Sequence, residues 1–150
     1  MLKGIPKILS PELLKVLCEM GHGDTICLAD GNFPSESVGK NAIVIRADGL
    51  AVPPLLEAVL QLMPLDTCGD EPVKLMAMME CDKGKVETPI WDEIRAIVAD
   101  HDERGADAVG FVERFAFYEE AKKGYAVVAT GETALYGNVL LCKGVVVGNG

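Results

Sequence analysis

The sequence predicts an α/β fold, a three-layer α/β/α sandwich around a largely parallel or mixed six-stranded sheet. Three features of the chain predict it. Six short aliphatic or β-branched runs interleave with four amphipathic helical patterns, and several of the runs are apolar throughout, as strands covered on both faces must be. The length of 150 residues is that of one ordinary domain, enough to bury a substantial core and too little for a second one, so 1–150 reads as a single domain.

Taken in order, Ser10-Pro11-Glu12 is a helix start, with a hydroxyl at the N-cap, proline in the first turn and an acid beside it. Leu13, Leu14 and Leu17 supply its apolar stripe, which should end at Gly21. Thr25 to Ala29 reads as a first strand and Ala42 to Ile45 as a second, with Asp30-Gly31 and Asp48-Gly49 marking their ends. Pro53 to Leu62 is an amphipathic helix, Val73 to Met79 a buried strand, and Glu80 to Glu87 a solvated loop around Asp82-Lys83-Gly84-Lys85. Thr88-Pro89 opens a helix carrying Ile90, Trp91, Ile94, Ile97 and Val98. A strand from Ala108 to Val112 precedes the aromatic helix Phe115 to Lys122, and strands at Tyr125 to Ala129 and Val139 to Val147 complete the sheet. Gly148-Asn149-Gly150 is expected to fray.

Composition excludes several classes of function. A formal net charge of -9 without a local Lys/Arg cluster repels phosphate backbones, so nucleic acid is not an expected partner. No uncharged apolar run reaches the roughly 20 residues that a bilayer-spanning helix needs, so no membrane partner is expected. The opening Met1-Leu2-Lys3-Gly4 has no secretory-leader pattern, and a cytoplasmic location is the default expectation. Five widely spaced cysteines, Cys18, Cys27, Cys68, Cys81 and Cys142, read as reduced core residues. There is no Cys-x-x-Cys, no His-x-x-x-His, no phosphate loop and no dinucleotide fingerprint, so no cofactor and no metal are expected.

Only two histidines can supply imidazole chemistry near neutral pH. His101, in Asp100-His101-Asp102-Glu103-Arg104, sits at a charged helix end, where a solvated ring near the dipole needs no functional account. His22, in Met20-Gly21-His22-Gly23-Asp24, lies between a helix and a strand, flanked by glycines that permit close approach of a ligand. On local grounds it is either an ordinary turn histidine or a proton-transfer group. With Asp24 and Asp30 it could in principle ligate a metal, although the set has no paired helix spacing. Asp24 and Asp30 bracket the first strand and share one end of the sheet only if the loop folds back; Asp30 stands at the carboxyl end, where open α/β sheets bind ligands. Asp48 reads the same way, or as the partner of Arg46. Arg114, at a helix N-terminus, opposes the helix dipole and needs a partner: Glu113, Glu119 or a ligand hydroxyl. Thr130-Gly131-Glu132 and Tyr136-Gly137-Asn138 offer hydroxyl, amide and flexible backbone suited to a polyol, or serve turn geometry alone.

In combination, Ser10-Pro11-Glu12-Leu13-Leu14, Gly21-His22-Gly23-Asp24, Asn32-Phe33-Pro34, Arg46-Ala47-Asp48-Gly49, Arg114-Phe115, Phe117-Tyr118, Thr130-Gly131-Glu132 and Tyr136-Gly137-Asn138 resemble the fucose mutarotase and ribose pyranase family. The blocks match in order over nearly the whole chain. The resemblance is to the fucose-type members, which have an arginine before Phe-Ala-Phe-Tyr where ribose-type members have a histidine; Cys68 stands where fucose-type members often have a tyrosine. It implies interconversion of the α and β anomers of a free monosaccharide, L-fucose first, with His22 as catalytic proton donor. Asp30, Arg114, Tyr136, Gly137 and Asn138 would be the sugar contacts. No cofactor or metal is implied. The resemblance further implies self-association into a ring-like homo-oligomer, a decamer among the expected sizes, with the site at or near a subunit boundary. A ribose-type pyranase and a non-catalytic sugar-binding module are the alternatives.

Overall fold

The computed structural model describes residues 1–148, so Asn149 and Gly150 of the expected frayed tail lie outside the described residues. The architecture is the predicted one, a six-stranded mixed sheet between two helical layers. Helix α1, Pro11–Glu19, starts where expected because the Ser10 hydroxyl accepts the Leu13 N–H at 3.1 Å and Pro11 sits where its missing N–H costs nothing. It buries Leu13, Val16 and Leu17. At its far end the Lys143 ammonium donates to the Leu17 carbonyl at 2.7 Å and to the Met20 carbonyl, serving groups the helix itself leaves unpaired.

The strands are β1 (Thr25–Ala29), β2 (Ile43–Ala47), β3 (Val73–Met76), β4 (Val109–Val112), β5 (Ala126–Thr130) and β6 (Val139–Cys142), in the order β2-β5-β1-β6-β3-β4. β6 runs antiparallel to both β1 and β3, and the other pairings are parallel, so five strands share one carboxyl edge. Side chains alternate between the two cores. Ile26, Leu28, Val128 and Leu141 pack toward α1, α3 (Val52–Leu60) and α4 (Pro89–His101). Cys27, Ala29, Val127 and Leu140 pack toward α5 (Arg114–Lys123) and the four-residue α2 (Ser35–Val38).

Several boundaries differ from the sequence expectation, and the pairing explains them. β6 ends at Cys142, not Val147, because its neighbours run out: Thr25 lies opposite Cys142 and Val73 opposite Leu141. Val145, Val146 and Val147 are therefore exposed. β3 ends at Met76, not Met79, where its partner β4 ends at Val112. Helix α2 has too few residues to show a period. The cysteine expectation holds for Cys27, which is buried, while Cys18, Cys68 and Cys81 are exposed: Cys18 falls beside the buried stripe of α1, Cys68 lies in a loop and Cys81 in a single 3-10 turn, Glu80–Asp82. His101 is not simply solvated; its Nε2 lies 2.9 Å from Glu57 Oε1, tying α4 to α3. No helix among the described residues is long and apolar enough to cross a membrane.

Candidate functional site

The carboxyl edge of the five parallel strands is bound together by buried polar groups. Thr130 Oγ1 donates to the Ala29 carbonyl at 2.6 Å and accepts the Glu132 N–H at 3.1 Å, joining β5 to β1. Buried Glu132 accepts the N–H of Val52 at 3.0 Å and that of Ala134 at 2.9 Å. It thereby caps α3, whose own N-cap position, Ala51, has no side-chain acceptor. Gly131 admits no Cβ, which would meet the Asp48 carbonyl oxygen at 2.0 Å. The Thr130-Gly131-Glu132 block is thus framework: its polar groups are already paired. Glu132→Ala, which uncaps α3 and leaves buried N–H groups unpaired, is expected to cost about 2–3 kcal/mol in urea unfolding. Arg46 and Asp48 pair with each other at the surface, Arg46 Nε donating to Asp48 Oδ2 at 3.1 Å.

Above this framework β1 and β6, reversed relative to each other, bring residues 108 apart in sequence into reciprocal contact. The Asp30 N–H donates to Asn138 Oδ1 at 2.8 Å, and Asn138 Nδ2 donates to Asp30 Oδ2 at 3.0 Å. Asp30 Oδ1 also accepts the Asn32 N–H at 3.0 Å. Both side chains are buried, at 6% and 4% exposure. Burial pushes the Asp30 carboxyl above its ordinary range, against the opposing pull of the amides of Asn32, Gly137 and Phe33 and of Asn138.

Arg114 is the first residue of α5, whose N-cap is Glu113; the Glu113 carboxylate accepts the Phe115 and Ala116 N–H groups at 3.0 and 3.1 Å. Glu113 is therefore occupied, and the partner of Arg114 is Tyr118 one turn on, its Oη accepting from Nε at 2.9 Å. Neither Nη group of Arg114 has a hydrogen-bond partner among the described residues. Tyr118 and Phe117 pack edge-on against Phe33, at 5.5 and 5.9 Å between ring centroids.

Tyr136 has φ of 59°, the only positive value at a non-glycine position among the described residues. Its carbonyl accepts from Trp91 Nε1 at 3.0 Å, and its hydroxyl accepts the Met79 N–H at 3.2 Å while donating to Asp82. Burial, then the hydrogen bond to Asp82, raises the phenol above its ordinary range, so it stays protonated.

Asp30, Asp82, Arg114, Tyr118, Tyr136 and Asn138 all line one cavity of about 160 Å³, with Phe33, Met76 and Leu135 as apolar wall. Four of the five expected sugar contacts meet there, and Gly137 joins two of them in sequence. Asp82 and Tyr118 are not among the expected sugar contacts, although Tyr118 stands in the Phe117-Tyr118 block of the resemblance. Asp82 sits among Lys83, Gly84 and Lys85, which read as a solvated loop; the Arg114–Tyr118 spacing of four on a helix was the available signal for the second. A larger hollow of about 510 Å³ near the N-terminus is walled by Met1, Leu2, Ile5, Pro6 and Ile8, and lacks the converging polar groups that orient a polyol.

His22 is elsewhere. It is exposed, in a turn at the amino end of β1, whereas Asp30 follows the carboxyl end. Six residue-to-residue steps of nearly extended chain separate Asp24 from Asp30, on the order of 20 Å. The loop does not fold back, so His22, Asp24 and Asp30 of one chain cannot share a ligand or metal ion. The turn itself is firmly built: Asp24 Oδ2 accepts the Gly21 N–H at 2.8 Å, and the Gly23 N–H donates to the Lys143 carbonyl at 2.8 Å. The His22 ring makes no hydrogen bond among the described residues.

The RbsD / FucU transport protein family matches residues 3–146. Human fucose mutarotase is 54% identical over 149 residues, covering 96% of this chain and 94% of its own. The crystal structure of FucU from Bifidobacterium longum superposes with a TM-score of 0.93 at 59% identity, covering 97% of this chain and 100% of that one. The fucose mutarotase of Streptococcus pneumoniae, solved in complex with L-fucose, superposes with a TM-score of 0.88 at 47% identity over the same shares.

Proposed function

The chain belongs to the RbsD / FucU transport protein family, and from that premise we propose that it is a sugar mutarotase, an enzyme that interconverts the α and β anomers of a free monosaccharide, with L-fucose preferred. One observation carries the reading: the cavity at the carboxyl edge gathers two carboxylates, a guanidinium, two phenols and an amide from four separate segments, the groups that hold a polyol. The similarity to a protein solved with L-fucose supports the choice of sugar.

Mutarotation needs a proton on the ring oxygen and removal of the anomeric hydroxyl proton. The C1–ring oxygen bond then breaks, the C1 carbonyl forms, and reclosure follows rotation of the aldehyde. No electrons or groups are transferred, so side chains suffice. The imidazole of His22 has one ring nitrogen that can give a proton and one that can take it. Because it lies at the opposite end of β1 from the cavity, it acts on the sugar held by a neighbouring copy, within a ring-like homo-oligomer. The exposed ring on a rigid turn supports this assignment. Asp30, Asn138 and the Tyr136-Gly137 segment hold the sugar; Arg114 binds hydroxyls through its unpartnered Nη groups. The Tyr118 hydroxyl relays the anomeric proton, accepting it as its own proton passes to solvent. Its oxygen lies beside a guanidinium, where developing negative charge is offset, whereas Tyr136 has its proton committed to Asp82. A cytoplasmic location completes the reading.

Saturation-transfer NMR across L-fucose, D-ribose and D-galactose tests it: α/β exchange of L-fucose should quicken most. Binding without faster exchange would make the protein a sugar sensor, and faster pyranose–furanose exchange of ribose alone would make it a ribose-type pyranase. Tyr118→Phe is expected to slow fucose exchange by about 10²-fold with unfolding unchanged; wild-type exchange would move the base elsewhere.

A further inference from the structure

We infer that Asp82 is a positioning residue of the sugar site, holding Tyr136 so that its hydroxyl meets the sugar only as an acceptor. The inference rests on the mutarotase reading of the same cavity. Left-handed backbone at a tyrosine costs about 1–3 kcal/mol and persists only where surroundings enforce it. Three contacts do so here: Trp91 Nε1 on the Tyr136 carbonyl, the Met79 N–H on its hydroxyl, and the Asp82 carboxylate below that hydroxyl. The last two come from the chain leaving β3, where a single turn of 3-10 helix, Glu80–Asp82, carries the carboxylate into the cavity wall.

The consequence follows from counting donors. A phenol has one proton, and Tyr136 gives it to Asp82. Met79 occupies one acceptor position, leaving the hydroxyl oxygen one site, for a sugar O–H. The wall formed by Tyr136 and Asp82 therefore reads a sugar hydroxyl as a donor, and it repels an anionic substituent such as a phosphate or carboxylate. Without Asp82 the Tyr136 hydroxyl is free to turn and donate, and the wall loses this preference.

The test is a double-mutant cycle of Asp82→Ala and Tyr136→Phe, with Asp82→Asn alongside, read in KM and kcat for L-fucose anomer exchange and in the dissociation constant for L-fucose. Asp82→Ala should raise KM and the dissociation constant about tenfold, change kcat less, and leave the shape of the pH profile intact. The double variant should bind no more weakly than Tyr136→Phe alone, because Asp82 acts through that hydroxyl. Asp82→Asn, whose carbonyl accepts the same hydrogen bond, should stay within about threefold of wild type; it carries the test if the alanine variant fails to fold. Wild-type behaviour of Asp82→Ala, additive losses in the double variant, or an Asn variant that loses kcat together with one limb of the pH profile would each overturn the inference. A wild-type protein that binds fucose without speeding exchange refutes the enzyme reading alone, since the cycle is still read in binding.

Discussion

Alanine in place of His22 is expected to slow L-fucose anomer exchange about 10²–10⁴-fold, the usual worth of positioned acid–base catalysis. Stability should stay within about 0.5 kcal/mol, because the exposed ring packs on nothing that holds the fold. The turn is fastened by other groups: the Asp24 carboxylate on the Gly21 N–H, and the Gly23 N–H on the Lys143 carbonyl. Fucose binding should change little, since the cavity groups Asp30, Arg114, Tyr136 and Asn138 are left intact. A His22→Ala protein with full exchange and normal unfolding would remove the residue from the chemistry.

Asp30 should show the opposite balance, with stability and binding lost together. Asp30→Ala leaves buried Asn138 without its carboxylate partner and opens a hole at the cavity floor, which is expected to cost about 2–4 kcal/mol in urea unfolding and to abolish fucose binding. The pH dependence follows from the direction of its shift. Burial raises the folded-state pKa above the ordinary 3.8, so between the two values the folded protein holds a proton that the unfolded chain releases. The stability contributed by this group is therefore greatest below the ordinary value, falls as pH rises toward the raised one, and is constant above it. Unfolding measured from about pH 3 to about pH 7 should show that fall as the difference between wild type and Asp30→Asn, which cannot ionise; Asp48, Asp102 and Glu119, held below their ordinary range by Arg46, Arg104 and Lys122, contribute the opposite trend to both proteins. A slope unchanged by the Asn variant would assign it to other carboxylates.

Much of this was legible in the chain because local chemistry set it. Ser10-Pro11 announces α1 through a cap that forms as read, and apolar runs such as Ile26-Cys27-Leu28 declare central strands because both their faces are covered. Strand ends were less legible, since they depend on where a partner stops: nothing in Val145-Val146-Val147 tells that Thr25 and Val73 have already ended the ladder. In the site, Asp30 and Arg114 could be found from their places at strand and helix ends. The Asp30–Asn138 clasp could not, because it requires β6 to run against β1. Asp82 was hidden for a different reason: a carboxylate among lysines and a glycine looks solvated until the fold sets a tyrosine hydroxyl beside it. The separation of His22 from Asp30 was half visible, since a strand lies between them, but only the unfolded-back loop decides that one chain cannot join them.

A site divided between two copies makes one demand that a site within one chain does not. His22→Ala lacks the proton donor but keeps the cavity, and Arg114→Ala keeps the donor but lacks a wall of the cavity. Each protein alone should be nearly inactive. Unfolded together and refolded as a mixture, they should form boundaries in which an intact His22 meets an intact cavity, restoring roughly a quarter of wild-type fucose exchange for random neighbours. A mixture in which co-assembly is demonstrated and exchange remains at the level of the separate variants would contradict the shared site, and with it the role given to His22.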